Sequence, residues 1–384
     1  MATGRRNRFE RRPAAARLIV TLLCLGVIEI VIRIGVAWNV LPYRAYPTHR
    51  EPQFWADIDP VVGRWRYPNA TFRNVFPCFD ETYRTNTIGA RDPERALRTD
   101  AAQRVVVLGD SFTEGWGVAR GDRVTDILEA ETGIEHLNFG TSSWGTIQQW
   151  LYYREYARHY DHSAVFLLLW PANDYHDNDP DYQNHRLYRP YLRKTADGYE
   201  VFYTVEFDRR FTGANGTFEI VKNTIDNHWY LANVLRTAVR LIKDGVWLDA
   251  AGPDNDYDNF TAADIDRLLW VLGRIATLAG DRPFYVITIP SARDVAFARD
   301  RDTESSEHEP DRPVFRLIEV LERFAAGTGN TRIIDLMPAF IADADAAGRE
   351  FGDYTHGCDY HWSAAGNRVA ARALLAQVYG RDRE

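Results

Sequence analysis

Cysteine is scarce in this chain: three residues in 384, at positions 24, 78 and 358. They are too few and too scattered for a metal-binding cluster, and neither an HExxH pair nor paired CxxC units occur. No metal and no cofactor is therefore expected. An excess of positive charge is also lacking. The formal net charge is −8, and because residues 1–17 hold six arginines against the single Glu10, residues 18–384 carry −13. An acidic body argues against nucleic acid as the main partner. There is no internal repeat and no low-complexity tract. With 45% hydrophobic and 26% charged residues, the composition is that of a globular protein with room for one large domain or two smaller ones.

A long apolar run is present at the N-terminus. Residues 18–41, 24 in number, would extend about 36 Å as a helix, enough to cross a hydrocarbon core of about 30 Å. Glu29 and Arg33 interrupt the run four residues apart, where a helix places them on one face and lets them pair. The basic flank predicts a cytoplasmic tail over 1–17, a single-pass anchor over 18–41 and all later residues on the extracytoplasmic side of the membrane. A cleaved signal peptide is the alternative, since Gly35-Val36-Ala37 is a passable small-residue cleavage site. Residues 42–104, rich in Pro, Arg and aromatics without a sustained helical period, read as an irregular β-containing juxtamembrane segment. Within it, TNTIGARDPE (85–94) puts Gly89 and Pro93 where turns are wanted, and turn chemistry accounts for it.

From residue 105 onward the pattern alternates, and 105–384 reads as one α/β domain. The stretch VVVLGDSFTEG (105–115) runs four apolar β-formers into Gly109, Asp110 and Ser111. This predicts a buried parallel strand that delivers a serine to the sheet's carboxyl edge, where open α/β sheets place their chemistry. Taken alone, such a serine reads first as a cap of the next helix rather than as a nucleophile. Further strands are predicted at 134–139, 164–170, 284–290 and 332–336, and helices near 122–132, 147–159, 261–280 and 363–378. Strands separated by helical crossovers imply a parallel sheet with helices on both faces. Residues 177–259 break the alternation with an aromatic and basic patch at 187–194, a possible hairpin at Asp197-Gly198 and a helix near 229–243. They read as an insertion forming a lid or substrate wall. Residues 298–313 read as a solvated loop.

A serine is a poor nucleophile at neutral pH; it needs a base within reach, a group that orients the base and donors for the oxyanion. Candidates stand at the other strand ends. The third strand leads into Trp170-Pro171-Ala172-Asn173-Asp174, where Asn173 could donate to an oxyanion or simply shape a turn. The second leads into LNFGTSSWGTIQQ (137–149), whose small residues let backbone N–H groups approach a ligand. DYHWSAAGNRVAA (359–371) sets Asp359 two residues before His361, directly ahead of the last helix, with His356 as a competitor.

In this order the four blocks resemble the GDSL or SGNH hydrolase superfamily, over roughly residues 105–176 and 355–376. The resemblance implies a three-layer flavodoxin-like α/β/α fold and an acyl-ester substrate. It makes Ser111 the nucleophile, His361 the general base and then acid, and Asp359 the residue orienting the imidazole. The oxyanion donors would be the Ser111 N–H, a second-block N–H and the Asn173 side chain. Two positions depart from the family pattern. Ser143 stands where its oxyanion glycine is expected, with Gly140 and Gly145 nearby, and Cys358 occupies the position three before the histidine where many members carry the acid. An acid two before the histidine looks like the arrangement in membrane-associated, polysaccharide-modifying relatives, to which the anchor and residues 85–94 are also similar. A glycan substrate in the cell envelope follows from that likeness, and Tyr182, Tyr188 and Tyr191 would suit it, with core packing as their other use. Acyl transfer to a sugar hydroxyl and a non-catalytic glycan-binding module are the alternatives to hydrolysis. In an oxidising compartment, a Cys78–Cys358 disulfide would tie the juxtamembrane segment to the loop carrying Asp359. The sequence leaves the oligomeric state open.

Overall fold

The computed structural model describes residues 13–38, 40, 54–76, 78–101, 103–174, 176–180, 188–207, 225, 228–244, 260–302, 316–357 and 359–381. The chain divides into two units, one of Met1–Arg50, Val75–Pro77 and Thr217–Asp249 and the other of Glu51–Asn74, Cys78–Gly216 and Ala250–Glu384. The first contains helix α1 (Pro13–Ala37), which opens on a proline, a residue tolerated where the N–H would have no helical partner. The helix begins five residues ahead of the apolar run and ends at Ala37. Its stretch Ala14–Val36 has a mean hydropathy of 2.4 and is long and apolar enough to cross a membrane. Glu29 and Arg33 pair at 2.9 Å, as their spacing predicts.

After α1 come two antiparallel pairs, β1 (Trp55–Asp59) with β2 (Gly63–Arg66) and β3 (Thr71–Phe76) with β4 (Phe79–Arg84). The α/β alternation follows: β5 (Arg104–Leu108), α2 (Ser111–Glu114), α3 (Val124–Thr132), β6 (Glu135–Asn138), α4 (Thr146–Glu155) and β7 (Ala164–Leu169). A hairpin of β8 (Pro190–Thr195) and β9 (Gly198–Tyr203) turns where Asp197-Gly198 predicts it. Helix α5 (Tyr230–Asp244) follows, then α6 (Ala262–Ala279), β10 (Phe284–Thr288), α7 (Ala292–Asp302), α8 (Arg316–Thr328), β11 (Thr331–Asp335) and α9 (Met337–Ala347). The chain closes with the short hairpin β12 (Thr355–His356) and β13 (Asp359–Trp362), and α10 (Ala364–Tyr379). Thr261 caps α6, its hydroxyl accepting the Asp264 N–H at 3.2 Å while Asp264 accepts the Thr261 N–H at 2.8 Å.

Five strands form one parallel sheet in the order β6-β5-β7-β10-β11. In sequence rank this is 2-1-3-4-5, the flavodoxin-like winding, whose switch point lies between β5 and β7. The period-two pleat divides β5 between two cores. Val106 and Leu108 join Leu151 of α4, Leu272 of α6 and Leu321 of α8 on one face. Val105 and Val107 join Leu128 of α3, Phe340 of α9 and Leu374 of α10 on the other. The result is the expected three-layer α/β/α architecture.

Two expectations change. Residues 298–302 belong to α7 rather than to a loop, because Val295 anchors that otherwise polar helix; residues 303–313 lie outside the described residues. The helix expected near 229–243 is present as α5, which groups with α1 in the first unit. Of the tyrosines suited to a glycan, Tyr191 is fully buried, Tyr188 stacks on Tyr203 at 4.7 Å, and Tyr182 lies outside the described residues. Cys24 is a free thiol and Cys78 is disulfide-bonded; Cys358, the partner expected for Cys78, lies outside the described residues.

Candidate active site

Strand β5 ends at Leu108 and the chain turns at once into the single helical turn α2, which begins at Ser111. Gly109 makes that turn possible: its φ is +156°, and a Cβ there would collide with the Thr113 side chain. Asp110 caps the turn, its Oδ1 accepting the Phe112 N–H at 2.9 Å. Gly115 ends it in the left-handed region. So tight a turn presents the Ser111 hydroxyl and N–H together.

Facing it, β13 carries His361 and Asp359. His361 Nε2 lies 2.7 Å from Ser111 Oγ, and His361 Nδ1 lies 2.5 Å from Asp359 Oδ1. The same Oδ1 accepts the His361 backbone N–H at 2.9 Å, closing an Asx turn that fixes the two residues relative to each other. Burial pushes the Asp359 carboxyl up, but its hydrogen bonds with His361 and the nearby imidazoles outweigh burial and hold it below the usual carboxylate range. Rings of Tyr360, Phe112 and Trp116 surround the imidazole at centroid distances of 4.5, 4.9 and 5.6 Å. His356 is elsewhere in this hairpin. It pairs across the strands with Asp359, lies with its ring 4.8 Å from that of Phe79 and has Nε2 3.4 Å from the Trp116 carbonyl, and burial lowers its pKa.

The second block offers three N–H groups, and two are already used. Gly140 donates to Asn138 Oδ1 at 3.0 Å and Gly145 to Gln148 Oε1 at 3.4 Å. Ser143 is exposed, its φ is +67°, and its N–H has no hydrogen-bond partner among the described residues. That conformation costs an L-residue roughly 1 kcal/mol and suits glycine, which is the residue type the family resemblance leads one to expect here. The Ser111 N–H is likewise without a partner. Asn173, after β7, donates from Nδ2 to Asp110 Oδ2 at 3.2 Å, which leaves its second amide hydrogen; its Oδ1 is buried without a partner. Ser111 and Asn173 thus flank the switch point between β5 and β7.

Several supporting residues were not foreseen. Glu114, three residues after Ser111, is fully buried and forms an ion pair with Arg66 at 3.0 Å. It accepts the Ser142 N–H at 2.6 Å, the Ser142 hydroxyl and the Trp55 indole N–H at 3.1 Å. Arg66 also donates to the Gly140 carbonyl at 2.6 Å and to the Gly89 carbonyl at 2.8 Å. Arg91 donates to the carbonyls of Glu114, Gly115 and Val118 at 2.8, 2.5 and 2.5 Å, and its guanidinium lies 3.6 Å from the Tyr83 ring centroid. Burial lowers the Arg91 pKa to about 10. Residues 85–94 therefore do more than turn: they hold the C-terminal end of α2. Behind Ser111, burial pushes Asp110 up to about 6, and burial together with the Asp110 charge raises Asp174 well above the carboxylate range. Asp174 accepts the Trp170 N–H at 2.6 Å and a Gln149 amide hydrogen at 2.9 Å. Among the described residues, no group of three or more His, Cys, Asp or Glu is placed to hold a metal ion.

No family model and no curated protein matches the chain. Solved structures similar to it include a lipase/acylhydrolase from Enterococcus faecalis, with 11% identity, 73% of this chain and 99% of that chain covered, and a TM-score of 0.37. An acetylxylan esterase, Axe2, from Geobacillus stearothermophilus has 14% identity over 72% of this chain and 93% of its own, with a TM-score of 0.36. An α/β hydrolase from the metagenome of Lake Arreo, Spain, has 14% identity over 73% and 97%, with a TM-score of 0.35. At such low identity and superposition score, these likenesses bear on neither chemistry nor substrate. The chain is GDSL/SGNH-like in its four blocks and in the parallel sheet that carries them.

Proposed function

We propose that this GDSL/SGNH-like chain is a membrane-anchored serine esterase that removes O-acyl groups of acetyl size from an envelope glycan. The observation carrying the proposal is the hydrogen-bonded line Asp359–His361–Ser111, with links of 2.5 and 2.7 Å, at the carboxyl edge of a parallel sheet. In the reaction, Ser111 Oγ attacks the acyl carbonyl as its proton passes to His361 Nε2. Asp359 holds the Nδ1–H tautomer and stabilises the imidazolium that forms. The N–H groups of Ser111 and Ser143 and the second amide hydrogen of Asn173 receive the oxyanion. Collapse expels the sugar hydroxyl, which takes the proton from His361, and water then releases the acid from Ser111 by the same steps. Interception of the acyl-enzyme by another sugar hydroxyl would make the protein an O-acyltransferase.

The glycan part of the proposal is supported by the apolar span of α1, which would hold the domain at an envelope membrane, and by Tyr360. This residue is 58% exposed, adjoins His361 and stacks on Trp170 at 4.9 Å, so it offers an aromatic face beside the base. The test is hydrolysis of a small acyl ester by the full chain in detergent, beside Ser111→Ala and His361→Ala. Each substitution should lower kcat by roughly 10⁴ or more. Activity that survives both would defeat the assignment. Offering acetylated oligosaccharide with and without an acceptor sugar, and comparing released acid with transferred acyl group, separates esterase from transferase.

A further inference from the structure

The two charged residues inside the apolar run of α1 find their partners on α5. Glu29 Oε1 accepts the Tyr230 N–H at 3.1 Å and Oε2 accepts the Leu231 N–H at 2.8 Å; both are donors that the first turn of a helix leaves unpaired. Arg33 donates to the His228 carbonyl at 2.7 Å, and its guanidinium lies 4.4 Å from the Tyr230 ring centroid. With the Glu29–Arg33 pair itself, these contacts fasten the start of α5 to one face of α1. Glu29 precedes Ala37 by eight residues, about 12 Å along the helix axis at 1.5 Å per residue. In an anchor crossing a core of about 30 Å, α5 therefore meets α1 in the half nearer its C-terminal end.

Helical spacing puts Leu231, Val234, Leu235, Ala238 and Val239 on one face of α5, while positions 236, 240 and 243, all basic in the sequence, fall on the other. Leu235 and Val239 are 57% and 62% exposed, and Trp229, just before the helix, is 49% exposed. These values match those of Leu18 (60%) and Val31 (62%) on α1. Because the two helices pack together, whatever solvates the apolar side chains of α1 also reaches those of α5.

We infer that α5 is an amphipathic membrane helix: its start docks on α1 below the headgroups, Leu235 and Val239 lie against acyl chains, and its basic positions fall on the face turned toward the interface. The partner is the lipid surface, and Glu29 and Arg33 are kept in an apolar span because they dock this helix. A basic polar face opposite an apolar one is the pattern by which helices lie in an interface. The inference rests on α1 being the membrane anchor.

The experiment uses the full chain in phosphatidylcholine–phosphatidylglycerol vesicles with nitroxide spin labels, without reductant so that the Cys78 disulfide stays closed. One sample carries the label on the native Cys24, midway along α1; the others carry it at Leu235→Cys, Val239→Cys or Arg236→Cys in a Cys24→Ser background. Collision with oxygen reports lipid, and collision with a water-soluble nickel chelate reports water. Labels at 24, 235 and 239 should be oxygen-accessible and nickel-shielded, with oxygen-to-nickel ratios severalfold above that at 236. Nickel access at 235 and 239 equal to that at 236, while Cys24 stays shielded, would overturn the inference and leave the anchor intact. Nickel access at Cys24 would overturn the anchor and the inference together. Shielding at 235 and 239 accompanied by spin–spin broadening that vanishes on dilution with unlabelled protein would show a second copy on this face and overturn the assignment to lipid.

Discussion

The buried Glu114–Arg66 pair holds the loop proposed to carry an oxyanion donor. Glu114→Ala would leave the fully buried Arg66 without its 3.0 Å partner and the Ser142 N–H without its acceptor. Breaking a buried ion pair from one side costs about 3–5 kcal/mol, and an orphaned buried donor about 1–3 kcal/mol more. Against a typical domain stability of about 5–15 kcal/mol, that single change would bring the fold near its limit and blur any kinetic reading. The informative protein is the pair Arg66→Met with Glu114→Gln. Removing both charges together should return stability to within about 2 kcal/mol of the original chain, since apolar replacement of a buried pair is often neutral. Activity should not return with it. The Gly140 carbonyl loses its Arg66 contact and Ser142 keeps only a neutral acceptor, so Ser143 is no longer held at φ +67° with its N–H presented. The expected loss in kcat is on the order of 10² with KM little changed, as for loss of one oxyanion donor. Denaturant unfolding and steady-state kinetics on a small acyl ester measure the two quantities separately. A double variant whose kcat recovers in step with its stability would refute the claim that this ion pair positions the oxyanion loop.

Three further outcomes follow from the same geometry. Ser143→Gly relieves a left-handed serine while keeping the N–H, so it should raise unfolding free energy by roughly 1 kcal/mol with kcat nearly unchanged; destabilisation in denaturant would show that the hydroxyl has a structural role. Asp110 titrates near 6 when folded against an ordinary 3.8, so the native state holds its proton more tightly than the unfolded chain. Its contribution is complete below pH 3.8 and is lost as pH rises through 6, on the order of 3 kcal/mol at 1.36 kcal/mol per pH unit. Asp110→Asn should flatten that decline in unfolding experiments between pH 4 and 7, and an unchanged slope would place the titration elsewhere. Tyr360→Ala should raise KM for an acetylated oligosaccharide roughly 2–10-fold, the worth of one aromatic contact, with a much smaller effect on a small ester. Equal effects on both substrates would mean that the ring serves only to pack His361.

The strands of the sheet were legible because β5, β7 and β10 are short apolar runs with β-branched residues, buried on both faces. Helices α8 and α9 went unforeseen: α8 starts close behind a polar stretch, and α9 is short and alanine-rich with its single proline near the start. Ser111, Asp359 and His361 could be picked out because each stands where an apolar run ends or a final helix begins. His361 was preferred to His356 only through the family resemblance; composition and spacing alone do not separate two histidines of one hairpin, whereas the strand pairing sets which imidazole faces Ser111. Glu114, Arg66 and Arg91 were illegible for a different reason. A buried charge has meaning only beside its partner, and Arg66 stands 48 residues from Glu114 in a segment with no helical or strand period strong enough to predict the contact.

That segment changes how the active-site geometry is understood. The parallel sheet delivers Ser111, but the groups that fix the ends of α2 and the oxyanion loop come largely from residues 55–91, ahead of the first sheet strand. Trp55 and Arg66 reach Glu114, Arg66 reaches Gly140, and Arg91 takes up three carbonyls after Ser111. A hydroxyl that must stay within hydrogen-bond reach of an imidazole, and N–H groups that must face a developing charge, depend on backbone positions set to a fraction of an ångström. Here those positions are set by guanidinium groups, which carry up to five donors in a rigid plane and can hold several carbonyls at once. Starting the chain at residue 105 would preserve the whole parallel sheet and the Ser111, His361 and Asp359 side chains while removing the groups that hold them in register. The segment between α1 and the sheet is thus as much a part of the candidate site as the strand that carries the serine.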